Sequence, residues 1–302
     1  MPSPKIVYSK DYHVDIGQHV FPTVKYDLVY KKLIEESGFK PSDFIEPEKA
    51  TEEDLLLVHT KEYIEKMMKG TLSTQEIFAL ELPFSKELVE ASCLCVGGTI
   101  AASRMALEKG TGIHLGGGFH HAFPDHGEGF CVFNDVAVAV VKMRRDKAIA
   151  RTLVIDCDLH QGNGTAFIFS EDKDVFTFSI HQENNYPFYK PKSDLDIGLR
   201  DRARDEEYIG KLKDNIPKII SGHKPDLIYY IAGADPYEGD RIGNLSLTVE
   251  GLERRDRFIF DTAKNFGVPV VCVLAGGYAQ DHNDTVAIHY NTIKSALERG
   301  KK

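Results

Sequence analysis

The amino-acid sequence predicts an α/β fold in which helices cover both faces of a central, mostly parallel β-sheet. Short apolar runs rich in β-branched residues are typical of buried parallel strands. They alternate with longer amphipathic segments that are typical of helices. No internal repeat or low-complexity linker interrupts the 302 residues, so we expect a single domain over residues 1–302.

Five strands and five helices follow from this pattern. The predicted strands are Gly112–Leu115, Leu153–Cys157, Val175–Ile180, Leu227–Ile231 and Val268–Leu274. The predicted helices are Leu88–Lys109, Asp135–Arg145, Asp205–Ser221, Val249–Phe266 and Asn283–Glu298. Such alternation is typical of βαβ units, in which a crossover helix joins two parallel strands.

Composition and charge restrict the partners and the compartment. Hydrophobic residues make up 42% of the chain and charged residues 27%, and a net charge of −9 leaves no overall basic surface for nucleic acid. The five cysteines are odd in number and form no CxxC pair, which predicts free thiols in a reducing compartment. The sequence has no apolar signal core and no run of about 18 apolar residues, so we expect a cytoplasmic protein without a membrane span. The oligomeric state is left open.

Glycine-rich or polar motifs follow four of the predicted strands. They are GGGFHH at 116–121, DCDLHQGNG at 156–164, GADPYEGD at 233–240 and AGGY at 275–278. In open parallel sheets, ligands bind in the crevice outside the carboxyl ends of the strands. We therefore expect these four segments to form one active site.

The segment that begins at Asp156 predicts a metal site. Residues two apart on a strand point to the same side, so Asp158 and His160 can reach one point, with Asp156 one step deeper. Asp235 is the obvious third ligand. Three ligands of mixed nitrogen and oxygen type leave one position open, as in catalytic zinc sites. The alternative is that Asp156 and Asp158 are turn or capping residues.

The paired histidines suggest a general base beside this metal. His120 and His121 follow three glycines, which permit close approach of the backbone. Asp156 and Asn163 are the natural partners to fix their tautomers and orientations. Tyr278 can donate its hydroxyl to a developing oxyanion, although an ordinary turn with an exposed tyrosine explains GGY equally well.

Together these motifs resemble the consecutive active-site blocks of the arginase–deacetylase superfamily. The blocks are GGGFHHAFPDHGEGFCVFND, VIDCDLHQGNG, FTFSIH, AGADPYEGDRIGNLSLT and LAGGY, in the family's order, and the resemblance runs from about residue 5 to residue 290. HQGNG and EGDRIGNL resemble the class IV histone deacetylases and their bacterial relatives. The resemblance implies an arginase–deacetylase fold and zinc-dependent hydrolysis of N6-acyl-lysine, acetyl or longer fatty acyl, in peptides or proteins.

The resemblance also implies a role for each motif residue. Asp158, His160 and Asp235 would bind Zn²⁺, His121 would act as general base and then acid, His120 would assist electrostatically, and Tyr278 would stabilise the oxyanion. Asp156 would hold His120, and Asn163 would hold His121. A structural K⁺ ion would be bound by Asp156, Asp158, His160, Ser179 and Ile180. Gly129 and Phe130 match the position where an aromatic lines the acyl-lysine tunnel.

Asn163 departs from the larger deacetylase classes, which usually have aspartate at its position. A neutral amide accepts the N–H of His121 but lacks the charge that raises a histidine pKa. We therefore predict a lower pKa for His121 than in an aspartate-partnered relative. A pH–rate profile of Asn163→Asp tests this prediction, and an unchanged acidic limb rejects it.

Two other functions stay open. Polyamine deacetylases of the superfamily place a glutamate seven residues after the third metal ligand. Ile242 stands there in this chain, which favours acyl-lysine over acetylpolyamine, although Glu238 and Asp240 keep small acylated amines open as substrates. A catalytically silent module that only binds acyl-lysine is the other alternative.

Overall fold

The computed structural model describes residues 5–299 and is organised around a six-stranded parallel sheet. A separate parallel pair consists of β1 (Ile6–Val7) and β2 (Phe44–Ile45). The large sheet contains β3 (Thr111–Ile113), β4 (Thr152–Asp156), β5 (Val175–Gln182), β6 (Leu195–Leu199), β7 (Leu227–Ile231) and β8 (Val270–Val273). Its strand order is β3-β8-β7-β4-β5-β6, and every neighbouring pair is parallel.

Helices cover the two faces of this sheet. In chain order they are α1 (Lys25–Ser37), α2 (Glu52–Leu55), α3 (Lys61–Lys69), α4 (Thr74–Leu80), α5 (Lys86–Lys109), α6 (Asp135–Arg145), α7 (Asn163–Phe169), α8 (Asp205–His223), α9 (Val249–Asn265) and α10 (His282–Arg299). Helices α5, α6 and α7 pack in series, and a second series consists of α8, α9, α10 and α1. Short 3-10 turns occupy Lys10–Tyr12 and Pro41–Asp43.

The central strands β4 and β7 are buried along their whole length. Their sequences, TLVID and LIYYI, are almost continuously apolar because helices exclude water from both faces of a parallel sheet. The one carboxylate in these two strands is Asp156, the last residue of β4. It lies level with Ile231 of β7 and Ser179 of β5, so the strand ends form one edge of the sheet.

The α/β prediction is confirmed, and all five predicted strands and five predicted helices are present. The bounds of Asp135–Arg145 and Leu227–Ile231 are as predicted, and the other bounds differ by a few residues. Strand β6 was not predicted because Leu195–Leu199 is a half-exposed edge strand that contains Gly198 and has no continuous apolar run. The short strands β1 and β2, the helices before residue 86 and the seven-residue helix α7 were missed as well.

One helix of the described residues is long and apolar enough to cross a membrane by length and composition. It is α5, and 83% of its most apolar window is buried inside the fold. Its apolar character is therefore accounted for by packing against β3, β8 and α6.

Candidate active site

Four loops at the carboxyl edge of the large sheet carry the candidate active-site residues. They follow β3, β8, β7 and β4, which lie side by side in that order. Between the loops is a cleft with about 310 Å³ of empty space, part of it open to solvent. Its lining includes His120, His121, Asp158, His160 and Tyr278. The strand order thus brings together side chains that are far apart in the sequence.

Asp158, His160 and Asp235 form one buried group. One potential ligand atom from each lies within 4.8 Å of the other two. His160 Nδ1 lies 3.2 Å from Asp158 Oδ1 and 3.5 Å from Asp235 Oδ2. The backbone N–H of Gly276 donates to Asp158, and that of Leu159 donates to Asp235. Backbone donors from two loops therefore hold both carboxylates in place.

The chemistry of this group fits a divalent cation. Asp235 Oδ2 is buried and has no hydrogen-bond partner among the described residues, which is costly for a carboxylate unless a cation faces it. Burial, followed by the charge of Asp158, raises the pKa of Asp235 to about 7. A Cβ at Gly276 would lie 2.1 Å from Asp235 Oδ2 and 2.6 Å from Asp158 Oδ2. Only a residue without a side chain leaves room beside these oxygens.

The two adjacent histidines are buried and have different partners. His120 Nδ1–H donates to Asp156 Oδ2 over 2.6 Å, and His121 Nδ1–H donates to Asn163 Oδ1 over 2.7 Å. Their Nε2 atoms lie 3.0 Å apart. Each Nδ1 is thereby committed to a partner, so each Nε2 is the nitrogen left for chemistry in the cleft.

The electrostatic environments of these histidines are opposite. Burial alone lowers the pKa of His120, but Asp156 and Asp158 outweigh it and raise the pKa to about 9. Burial lowers the pKa of His121 well below 6.5, and the neighbouring His120 and His160 lower it further. The hydrogen bond to Asn163 only partly offsets this lowering of the His121 pKa. The pKa values of the two adjacent rings are therefore shifted in opposite directions, which suits a charged ring beside a neutral one.

Tyr278 is buried, and a hydrogen bond from its backbone N–H fixes its position. Its N–H donates to Asp240 Oδ2 over 2.8 Å, and the other oxygen of Asp240 accepts from the backbone of Ile242 and Gly243. The side chain of Tyr278 is 8% exposed, so the alternative of an exposed tyrosine in an ordinary turn does not hold. Asp240 is fully engaged by three backbone donors.

Lys25 lies beneath the loop that carries Tyr278. It is fully buried near the start of α1, and its Nζ donates to the carbonyl of Ala275, which has a left-handed backbone with φ of 53°. The nitrogen also lies 5.8 Å from the ring of Tyr278. Burial lowers the pKa of Lys25 to about 8, although Asp235 and Asp158 oppose the shift.

Aromatic rings flank the cleft at Phe21 and Phe130, which line it, and at Tyr186, which contacts the lining residue His121. On one side Phe130 stacks on Phe21, with ring centroids 6.0 Å apart, and meets the edge of the Tyr278 ring at 5.9 Å. On the other side the ring of Tyr186 lies 5.0 Å from that of His121. Gly129 is close enough to Tyr186 that a Cβ there would lie 2.8 Å from its ring.

The other residues predicted for the site lie farther from the cleft. Ile242 is absent from the lining of the cleft, and its carbonyl accepts from the side chain of Asn185. Ser179 lies beside Asp156 in the sheet, and its hydroxyl is within 2.9 Å of His181 Nδ1. Ile180 is a buried residue of β5 whose side chain offers no ligand atom. Asp156, Ser179 and Ile180 are thus adjacent in space, and their proposed K⁺ role stays a prediction.

Sequence reasoning missed Phe21, Lys25 and Glu128. Phe21 and Lys25 belong to HVFPTVK, which shows neither strand nor helix periodicity, and Lys25 meets Ala275 across 250 residues. Glu128 was visible in GEGFC, but its contact with Asn163 depends on a loop and a helix meeting in three dimensions. No local pattern could have identified these three.

The fold is also found in a solved structure. The chain resembles the crystal structure of the HDA15 HD domain with a TM-score of 0.79 and 21% identity, over 97% of this chain and 90% of that one. This likeness shows the fold, and the buried Asp–His–Asp group lies at the carboxyl edge of its sheet.

Sequence comparisons show the family. The histone deacetylase domain matches residues 19–293, so the chain belongs to the histone deacetylase family. It is 41% identical to an uncharacterized protein of Picosynechococcus sp. over 94% of this chain and 95% of the relative. It is 30% identical to histone deacetylase 2 of Arabidopsis thaliana (93% and 76% covered) and 31% identical to the acetoin utilization protein AcuC of Bacillus subtilis (90% and 76%). The protein is thus a hydrolase of a deacetylating family.

Proposed function

We propose that this protein is a zinc-dependent lysine deacylase, which hydrolyses the amide of N6-acyl-lysine in peptides or proteins. One observation carries the proposal. Asp158 and His160 of the buried Asp–His–Asp group line the same cleft as His121 and Tyr278, and Asp235 lies beside them. Ligands, base and oxyanion donor therefore surround one space in which an amide can react.

Asp158, His160 and Asp235 are the residues that would hold the zinc ion. Two carboxylates and one imidazole match the mixed ligand set of catalytic zinc and leave a position for substrate. When bound, zinc polarises the amide carbonyl and acidifies water. Carboxylate oxygens also suit other divalent ions, so elemental analysis decides the identity of the metal.

His121 is the residue that moves protons. The hydrogen bond from its Nδ1 to Asn163 leaves Nε2 as the acceptor, and burial keeps the ring neutral. It takes a proton from the water that attacks the carbonyl and then gives a proton to the leaving lysine amine. His120, which Asp156 keeps protonated, adds positive charge beside the reacting atoms.

Tyr278 is the group that stabilises negative charge on the carbonyl oxygen. Its loop is fixed from one side by Asp240 and from the other by Lys25. A donor fixed before the reaction begins needs no reorganisation as charge develops, which is the main advantage of an oxyanion hole. Phe130 and Gly129 line the cleft in front of it and would contact the lysine stem.

An adjoining apolar cavity supports acyl groups longer than acetyl. A water-sized molecule reaches only about 20 Å³ of it in this structure, so a longer chain would require its lining to move apart. The lining includes Phe21, Phe119 and Phe130, which also line the catalytic cleft. Leu88 and Val14 extend the apolar lining. A fatty chain that passes between these rings would leave water for an apolar surface, which favours binding by about 0.8 kcal/mol per methylene.

The state of Asp240 argues against acetylpolyamine as the preferred substrate. Both of its carboxylate oxygens accept backbone N–H groups, so it has little acceptor capacity left for a second ammonium. Ile242 offers no charge, and Glu238 is the remaining exposed carboxylate of this segment. A second amine would therefore find only one exposed carboxylate in this segment.

The other features of the proposal concern the protein as a whole. We assign residues 1–302 to one catalytic domain of the class IV branch, and we assign K⁺ to the segment around Asp156, Asp158, His160, Ser179 and Ile180. All five cysteines are free and buried, which supports a reducing, cytoplasmic setting.

A substrate panel tests the proposal. Purified protein is assayed on acetyl-, octanoyl- and myristoyl-lysine peptides and on acetylspermidine, with and without chelator. We expect chelator-sensitive turnover of the peptides, with octanoyl at least as fast as acetyl. Preference for acetylspermidine would favour the small-amine hydrolase. Bound metal and bound peptide without turnover would favour the silent binding module.

A further inference from the structure

Glu128 lies outside the metal group and contacts two parts of the active site at once. Its Oε1 accepts from Asn163 Nδ2 over 2.7 Å and from the hydroxyl of Tyr186 over 2.7 Å. Its Oε2 lies 3.4 Å from Nε2 of His126, whose Nδ1 contacts Asp125. This carboxylate is therefore one hydrogen bond behind the amide that holds His121.

The backbone fixes Glu128 firmly. Glu128 and Cys131 exchange both backbone hydrogen bonds, at 3.1 and 2.9 Å, around a two-residue turn. Both turn residues, Gly129 and Phe130, have left-handed backbones, with φ of 51° and 67°, as a tight hairpin turn of the primed type requires. Their N–H groups donate to Ala79 and Leu80. The carboxylate thus projects from a rigid support.

An amide behind a general base raises a problem of orientation. An aspartate presents an acceptor whichever way it is turned, whereas Asn163 can present either its oxygen or its NH₂ group to His121. If the NH₂ group faces His121, Nδ1 must accept instead of donate, and the proton moves to Nε2. His121 then has no free Nε2 with which to accept a proton in the cleft.

Glu128 resolves this ambiguity. Burial alone raises the pKa of Glu128, but hydrogen bonds with His126, Tyr186 and Asn163 outweigh it and lower the pKa, so the group is a carboxylate. A carboxylate accepts and cannot donate. It therefore requires the NH₂ group of Asn163, which is buried with 1% exposure, and leaves the Asn163 oxygen for His121.

We propose that Glu128 is a positioning residue of the deacylase site: it sets the orientation of the Asn163 amide and thereby the tautomer of His121. The inference rests on the proposed function, since it concerns the base of that reaction. The same oxygen also fixes Tyr186, so base and cleft wall share one anchor. Glu128 contacts neither substrate nor metal ligands and acts only through its neighbours.

A double-mutant cycle separates this role from a structural one. Glu128→Met removes the acceptor with little change in volume. We expect kcat to fall roughly 10- to 100-fold, as for other residues that orient a site through a neighbour, with KM changed less than about twofold. The activity of Asn163→Asp alone should fall comparably, because two carboxylates would then lie about 2.7 Å apart.

The double variant Glu128→Met/Asn163→Asp gives the decisive result. The carboxylate introduced at position 163 accepts from His121 in either orientation and no longer faces a second carboxylate, so we expect kcat within about fivefold of wild type. If the fold-decreases in kcat of the two single variants multiply in the double variant, the proposal is overturned. Glu108→Gln, on an exposed carboxylate at the far end of α5, should leave kcat and KM unchanged. If Glu128→Met does not fold, Glu128→Ala must show the same reversal.

A second readout does not depend on turnover. Nitrogen-15 NMR of the zinc-loaded protein should show His121 as the Nδ1–H tautomer in wild type and as a mixture or the Nε2–H tautomer in Glu128→Met. An unchanged His121 spectrum overturns the inference even when the enzyme is active. A wild-type protein without any deacylase activity that shows the expected spectral change overturns the proposed function and supports the role of Glu128.

Discussion

The metal side and the wall side of this cleft are built differently. The metal side comes from strand ends: Asp158 and His160 follow β4, and Asp235 follows β7, its immediate neighbour. The wall side comes from loops and from the start of α1, and its key residues are Phe21, Lys25, Glu128 and Tyr186. The sheet dictates the first arrangement, and long-range packing creates the second.

This difference has a functional consequence. Groups at strand ends inherit the fixed spacing of the parallel sheet, so we expect the proposed metal ligands to tolerate almost no change around them. Residues on the wall side influence the reaction only indirectly, through a loop or a neighbouring side chain. We therefore expect changes on the metal side to abolish activity and changes on the wall side to reduce it.

The largest effect is expected from the glycine that faces the metal group. Gly276→Ala places a Cβ 2.1 Å from Asp235 Oδ2, so the carboxylate must move and metal binding should be lost, with kcat/KM down at least about 1000-fold. Metal content and kcat/KM measure this. Gly210→Ala is the matched control, since its Cβ meets nothing within 4 Å inside α8. A metal-replete, active Gly276→Ala protein would show that the two carboxylates are not the ligands.

The next effect is expected at the oxyanion donor. Tyr278→Phe keeps the ring packed against Phe130 and Phe21 but removes the hydroxyl. Loss of one such donor typically lowers kcat about 100- to 1000-fold while KM changes little. Steady-state kinetics on an acetyl-lysine peptide measure this, and a kcat within about threefold of wild type would remove Tyr278 from the reaction.

At Lys25 we expect two smaller effects of opposite direction, a loss of activity and a gain of stability. Lys25→Met removes the hydrogen bond to Ala275, so kcat should fall roughly tenfold as the Tyr278 loop loses an anchor. The folded pKa of about 8 lies about 2.5 below the ordinary 10.5, so keeping Lys25 charged costs up to about 3 kcal/mol of unfolding free energy.

The size of this stability effect depends on pH. Below pH 8 the folded and unfolded states are both protonated at Lys25 and the full cost is present. Between pH 8 and 10.5 the folded state has released its proton and the unfolded state has not, so wild-type stability rises with pH. The advantage of Lys25→Met in denaturant unfolding should therefore be largest below pH 8 and vanish near pH 10.5. An advantage independent of pH would mean that Lys25 is solvated.

The smallest effect concerns the acidic limb of the pH–rate profile. Burial, with help from His120 and His160, lowers the pKa of His121, and a base is active above its pKa. Wild-type kcat/KM should therefore persist below pH 6.5 before it falls. In Glu128→Met/Asn163→Asp the new carboxylate favours the protonated ring, so the limb should move up by about one pH unit. Superimposable profiles would exclude any influence of residue 163 on the base.

The sequence predicted the metal side in detail and little of the wall side. Asp158, His160 and Asp235 could be chosen because strand periodicity and sheet topology place strand ends together without knowledge of any loop. Asn163 could be paired with His121, but its second partner, Glu128, could not, because that contact needs the turn at Gly129 and Phe130. Lys25 is a charged residue in a segment with no periodicity, and nothing local indicates that it is buried beneath a catalytic loop.

The central claim is that Asp158, His160 and Asp235 bind one divalent ion on which deacylation depends. Metal stoichiometry and turnover of an acetyl-lysine peptide, measured on the same samples of wild type and Asp235→Ala, test it most directly. We expect about one ion per wild-type chain, chelator-sensitive turnover, and loss of both in the variant. Full turnover by a metal-free wild-type protein, or an Asp235→Ala protein that retains both ion and activity, would contradict the claim.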